Sequence, residues 1–178
     1  MDRAGRRNQD AAERDTLWCE KVKAMDNLLP EQRQKNMKSI RSKDTKPEEL
    51  VRKRLFAAGF RYRLCDKRYP GKPDIVLPRY RTFIYIHGCF WHQHPECRYA
   101  VIPKSNRGYW QPKLARNVER DRENIERAVT LGWKVVIVWE CATKPKYIDL
   151  TLSRLVDIIK NELPSDSPYV ISAGGVEC

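Results

Sequence analysis

A chain of 178 residues is long enough for one domain with a real interior, and 35 lysines and arginines against 23 acidic residues give it a net charge of +12 and a pI near 9.6. That balance makes a polyanion the natural partner, nucleic acid first among them. No run of about 18 apolar residues and no hydrophobic N-terminal segment occurs. We therefore expect no membrane span, no secretory signal and a cytoplasmic protein, whose six cysteines are thiols or metal ligands rather than disulfides.

Residues 1–27 are polar, charged and without periodicity, which predicts a disordered extension, and a short helix is expected from Pro30 to Ile40. Thr45-Lys46-Pro47-Glu48 has the form of a capping box and opens a helix that turns Leu50, Val51, Leu55 and Ala58 inward and stops at Gly59. Phe60–Leu64, Pro73–Leu77 and Thr82–His87 read as short strands, being β-branched, aromatic and bounded by turns. Leu114, Val118, Ile125 and Val129 recur at helical spacing over residues 111–131, and Gly132 ends that helix. Trp133–Trp139 reads as a buried central strand, and a last helix runs from about Ile148 to Leu163. The pattern predicts one α/β domain over residues 28–163 with a mixed central sheet flanked by helices, followed by a flexible tail over 164–178. The sheet is mixed because the link between the strands around Asp74 is too short for a crossover.

The segment His87-Gly88-Cys89-Phe90-Trp91-His92-Gln93-His94-Pro95-Glu96-Cys97 holds all three histidines of the chain and two of its cysteines. Cys89, His94 and Cys97 are spaced to surround one ion, and Cys141, directly after the central strand, is the natural fourth ligand of a tetrahedral zinc. Four protein ligands leave no open position, so this zinc is expected to be structural. Spacing alone leaves His92 open as the alternative to His94. Pro73-Asp74 on one strand and Tyr85-Ile86-His87 on the next weakly resemble the metal corner of restriction-type nucleases, since the usual acidic-x-Lys triplet is absent. Asp121 shares the apolar stripe of its helix, where a carboxylate needs either a histidine or an arginine as partner. Glu48 is explained by the capping box, with a place near a metal as an additional reading. Phe90, Trp91 and Trp110 stand among Lys104, Arg107, Lys113, Arg116 and Arg120, company in which aromatic rings stack on bases or wedge between them.

Taken together, His87–His92, Asn117-Val118-Glu119-Arg120-Asp121-Arg122 and Gly132–Cys141, with Lys35-Asn36-Met37, Asp44-Thr45 and Pro70–Asp74, resemble the very short patch repair endonucleases over about residues 33–145. The resemblance implies a restriction-endonuclease-like fold and Mg²⁺-dependent nicking of one DNA strand beside a thymine mispaired with guanine, the lesion left by deamination of 5-methylcytosine. It makes Asp74 the magnesium carboxylate, with the backbone carbonyl of Ile86 in the same site, and His87 and Asp121 a polar pair near the scissile phosphate. His92 becomes the base that activates water, and Glu48 a supporting carboxylate. Cys89, His94, Cys97 and Cys141 correspond to zinc ligands, Phe90, Trp91 and Trp110 to an aromatic wedge, and Asn117 to a DNA contact. Double-stranded DNA carrying a T:G mismatch is the expected substrate of a monomer linked to general mismatch-repair proteins, a repair polymerase and a DNA cytosine-5 methyltransferase. Two departures stand out: Ile86 where the best-known members have threonine, and Gln93-His94-Pro95-Glu96 in place of a run of histidines. The competing readings are a restriction- or homing-type nuclease that cuts paired DNA and a zinc-stapled DNA-binding module without catalysis.

Overall fold

The computed structural model describes residues 43–161, 163–173 and the backbone of 175–177, together with Gln32. The expected N-terminal extension and the helix from Pro30 to Ile40 lie outside the described residues. The described chain runs α1 (Lys46–Ala57), β1 (Arg63–Leu64), β2 (Ile75–Leu77), β3 (Thr82–His87), α2 (Arg107–Thr130), β4 (Lys134–Trp139), α3 (Ile148–Asn161), β5 (Tyr169–Ser172) and β6 (Gly175–Glu177). One sheet takes the strands in chain order. β1, β2 and β3 are antiparallel neighbours, β3, β4 and β5 are parallel, and β6 returns antiparallel on β5, so the sheet is mixed as expected.

The two longest strands are buried along their whole length, which explains their composition: Thr-Phe-Ile-Tyr-Ile-His and Lys-Val-Val-Ile-Val-Trp are apolar on both faces because helices or loops cover both. On one face Val51 and Leu55 of α1 and Leu155, Ile158 and Ile159 of α3 pack on Ile75, Ile84, Ile86, Val136 and Val138. On the other, Phe83 and Val135 meet Ala128 of α2, with Trp133 stacked on Phe83 at 4.1 Å between ring centroids. Lys134 begins β4 in a buried position, where its ammonium donates to the Ile158 and Ile159 carbonyls at 2.8 and 3.1 Å and so caps the last turn of α3.

Several expectations need correction. The tail expected to be flexible after Pro164 carries β5 and β6; β5 pairs with β4, so the sheet continues past residue 163. β1 is two residues long rather than five: in its antiparallel register Phe60–Tyr62 would face Leu77–Arg79, where the chain leaves β2 for the 3-10 turn Pro78–Tyr80. Ala58 is the exposed C-cap of α1 rather than an inward residue, and Val118 is 41% exposed on α2. Thr45 is the N-cap of α1, but its hydroxyl donates to Glu48 Oε1 at 2.8 Å instead of receiving a backbone N–H. Glu48 Oε2 in turn accepts the amide of Asp44, one residue before the position a capping box would use.

Candidate functional site

The C-terminal ends of β3 and β4 lie side by side, with His87 opposite Trp139 in the parallel register. Everything that carries chemistry is gathered there, in the crevice where open α/β sheets bind ligands. The chain leaves β3 at His87 and enters a loop of successive tight turns, in which the His92 amide donates to the Gly88 carbonyl, His94 to Cys89 and Cys97 to His94. Gln93 and Glu96 adopt left-handed backbone, at φ 49° and 54°. These reversals decide which of the clustered histidines turns to which side.

His94 joins Cys89, Cys97 and Cys141 in one compact set of donors, whose ligand atoms all lie within 4.8 Å of one another. A tetrahedral zinc with bonds of about 2.3 Å to sulfur and about 2.0–2.1 Å to nitrogen would hold such atoms about 3.5 Å apart. His94 Nδ1 lies 3.6 Å from Cys89 Sγ and 3.5 Å from Cys141 Sγ, so the donor set and its spacing fit that ion. Cys141 is brought here by the 3-10 turn Glu140–Thr143, which follows β4 without a gap. A hydrogen bond from Cys89 pulls the Cys141 thiol down to about 5, with the Ala173 amide and His94 acting in the same direction, and sharing that bond pushes Cys89 up. The imidazole of His94 stacks on Trp139 at 4.1 Å, which fixes the ring plane.

His92 goes the other way. Its Nδ1 makes a short hydrogen bond to Asp121 Oδ2, and its ring lies flat on His87 at 4.0 Å and 5°. The sequence left Asp121 a choice between histidine and arginine, and the choice is histidine. The carboxylate bonds His92 rather than His87, although all three side chains form one group. His87 is buried, and that burial, with its neighbour His92, holds its imidazole well below the ordinary histidine range and favours the neutral ring as a stacking platform.

Asp74, immediately before β2, sends Oδ2 to the backbone amide of Ile86 at 2.7 Å, a bond made because β2 and β3 are antiparallel at this point. Burial pushes its carboxyl up to about 6 against the pull of that amide; Glu48 adds repulsion, while Arg52 and His92 attract. Among the described residues no basic side chain forms an ion pair with it. A buried carboxylate left with one amide donor is short of positive charge, which fits a cation ligand. Glu48 is buried within electrostatic reach of Asp74, as a supporting carboxylate would be, and is bound by Arg52 at 2.6 Å. Arg52 had given no sign of its place in the sequence; its spacing of four from Glu48 on a helix was the only clue.

Phe90, Trp91 and Trp110 form one aromatic group, with ring centroids 5.1 to 6.0 Å apart. Tyr109 joins it at 5.1 Å from Trp110. The Lys113 ammonium sits 5.1 to 5.6 Å from the rings of Trp91, Tyr109 and Trp110 and donates to the Tyr109 hydroxyl. Asn117 donates to the Trp91 carbonyl at 3.1 Å and thereby ties the wedge loop to α2. Tyr109, 49% exposed, was missed from the sequence because it adjoins Trp110 and drew no separate signal.

A strand-end carboxylate, a histidine oriented by an aspartate, and an aromatic group on a strongly basic chain are the equipment of a DNA endonuclease. Comparison with known proteins agrees and is more specific. The family model for the DNA mismatch endonuclease Vsr matches residues 25–98. The type II nicking enzyme V.NmeAIP of Neisseria meningitidis serogroup A is 54% identical over 126 residues, 70% of this chain and 89% of that one. The DNA mismatch endonuclease Vsr of Escherichia coli K12 is 44% identical over 112 residues, 63% and 71% of the two chains. The nicking enzyme V.HpaIIP of Haemophilus parainfluenzae is 36% identical over 135 residues, 74% and 96%. The chain belongs to the Vsr family of DNA mismatch endonucleases. Among the described residues no helix is long and apolar enough to cross a membrane.

Proposed function

We propose that this endonuclease nicks one strand 5′ to the thymine of a T:G mismatch and so begins very short patch repair of deaminated 5-methylcytosine. The observation that carries the reading is the hydrogen bond between His92 and Asp121 beside the cation-hungry Asp74. With Nδ1–H donated to the carboxylate, His92 keeps the Nε2 lone pair free, which is the tautomer a base needs to take a proton from water. Asp121 orients the ring and stabilises the imidazolium that forms. His87 holds it flat from below, and because His87 is neutral it adds no competing positive charge.

Asp74 and the Ile86 carbonyl would hold Mg²⁺, with Glu48 behind them. When bound, such an ion offsets the charge that develops on the phosphate in hydrolysis. Cys89, His94, Cys97 and Cys141 would hold a structural zinc. Phe90, Trp91 and Trp110 would enter the duplex beside the mispair, with Asn117 holding their loop and approaching the DNA from α2. The names of the nicking relatives support cleavage of one strand. The same reading makes the protein a cytoplasmic, nucleoid-associated monomer that acts with general mismatch-repair proteins and a repair polymerase, downstream of a cytosine-5 methyltransferase.

The test is strand-resolved nicking, in Mg²⁺, of duplexes identical except for T:G or T:A in several methylation contexts, with Asp74→Ala as control. A nick beside the mispaired thymine alone, absent in Asp74→Ala while DNA binding persists, is the expected result. Equal cutting of paired DNA would overturn the mismatch requirement and move the enzyme to the restriction or homing class. Loss of DNA binding in Asp74→Ala would reassign that residue to structure.

A further inference from the structure

Arg52 is a buried cation beside the candidate cation site. It lies on α1, almost wholly buried, with Nη1 on Asp44 Oδ1 at 2.5 Å and Nη2 on Glu48 Oε2 at 2.6 Å, while its buried Nε has no hydrogen-bond partner among the described residues. The Tyr62 hydroxyl fixes its carbonyl at 3.0 Å. Burying a guanidinium with one donor unpaired is costly, and an exposed pair at the same helical spacing would support α1 without that cost. The burial therefore has another purpose, and the neighbour that Arg52 serves is Glu48.

Both oxygens of Glu48 are occupied. Oε1 accepts the Thr45 hydroxyl at 2.8 Å, and Oε2 accepts Arg52 together with the Asp44 amide at 3.2 Å. Among the described residues, Asp74 accepts only the Ile86 amide. Two carboxylates within electrostatic reach of one another are thus treated in opposite ways, one saturated with donors and one left open. We propose that Arg52 is a positioning residue for the cation site: it holds Glu48 out of direct contact with the cation, as an outer carboxylate, and leaves Asp74 as the side chain that ligates. The inference rests on the proposed cation site at Asp74 and adds to it the residue that decides which carboxylate is a ligand. Without Arg52, Glu48 is free to turn toward the cation. Affinity then rises, because cation affinity follows the count of charged ligands.

The experiment is Mn²⁺ binding to the full chain without DNA, followed by electron paramagnetic resonance at pH 8. It compares the unmodified protein, Arg52→Met, Glu48→Gln and the double variant. Arg52→Met is expected to bind on the order of tenfold more tightly. Introducing Arg52→Met into Glu48→Gln should change nothing beyond about twofold, because the carboxylate it would release is gone. If the unmodified protein binds no Mn²⁺, the Asp74 reading falls and this inference falls with it. If the protein binds but folded Arg52→Met binds equally or more weakly, only the inference is overturned. An equal tightening on the Glu48→Gln background also overturns it, since Arg52 would then act on Asp74 by charge alone. Should Arg52→Met fail to fold, Arg52→Lys takes its place: one ammonium cannot span Asp44 and Glu48 together, so about threefold tighter binding is expected, and unchanged binding overturns the proposal.

Discussion

The loop from His87 to Cys97 serves two groups of side chains built on opposite principles. Cys89, His94, Cys97 and Cys141 face inward on one another, and two of the three cysteines are almost inaccessible, at 1% and 3% exposure. His87, His92 and Asp121 form an open row in which only His87 is buried. Four donors in the first group would fill the coordination of one tetrahedral ion, whereas the second leaves the outer nitrogen of His92 available for a reactant. Histidines two residues apart go to the two groups because the left-handed residue between them, Gln93, reverses the chain. Each ring is then fixed by a different platform, Trp139 under His94 and His87 under His92. Residue type sets what a histidine is able to do, and the surface it stacks on sets what it does.

The largest expected effect separates the two groups by what their loss destroys. Cys141→Ser breaks the closed set, so it should release the proposed zinc, lower the melting temperature by more than 10 °C, and abolish nicking and mismatch binding together. Unchanged metal content by atomic absorption would remove Cys141 from the site. His92→Ala attacks the open row alone. We expect kcat to fall by about 10²–10⁴ with the fold and zinc intact, and Asp121→Asn to follow it at the lower end of that range. Single-turnover kinetics check this; a melting temperature that drops as far as in Cys141→Ser would show that the two groups are one structural unit.

The smallest effect is a pH dependence at Asp74. Its carboxyl titrates at about 6 in the folded protein against an ordinary 3.8. Across that interval the folded chain keeps a proton that the unfolded chain has lost. The metal-free protein should therefore lose stability as pH rises from about 4 to about 6, with the loss complete above that. Asp74→Asn should flatten this slope and raise the melting temperature at pH 7 by about 2–4 °C, as followed by circular dichroism. A slope unchanged by the substitution would refute the assignment.

Much of this was legible from local pattern. β3 occupies the expected residues without adjustment, and β4 is shorter by one, because full burial writes itself into a continuous apolar run. The Cys/His set was legible because metal ligands leave few alternatives. What escaped depended on distant partners. Tyr169-Val170-Ile171 is a short apolar run after Pro164-Ser165-Asp166-Ser167-Pro168, and only its pairing with Val136-Ile137-Val138 makes it a strand. Val118 keeps helical spacing with Leu114 and Ile125, yet it stands 41% exposed beside a buried Leu114, so periodicity overstated the core. Arg52 was invisible as a site residue because the pocket that gives it meaning is assembled from Asp44, Glu48 and the far strand around Asp74.

The parallel pairing of β5 on β4 also bears on how this enzyme tolerates shortening. A chain ended at Leu163 would keep every ligand and every member of the histidine row. It would, however, uncover one side of β4, leaving Val136 to Val138 with unmet backbone hydrogen bonds along a flat apolar border. Such a border recruits strands from other molecules. β5 and β6 cover that border, and a shortened enzyme would be expected to self-associate before its chemistry could be assayed.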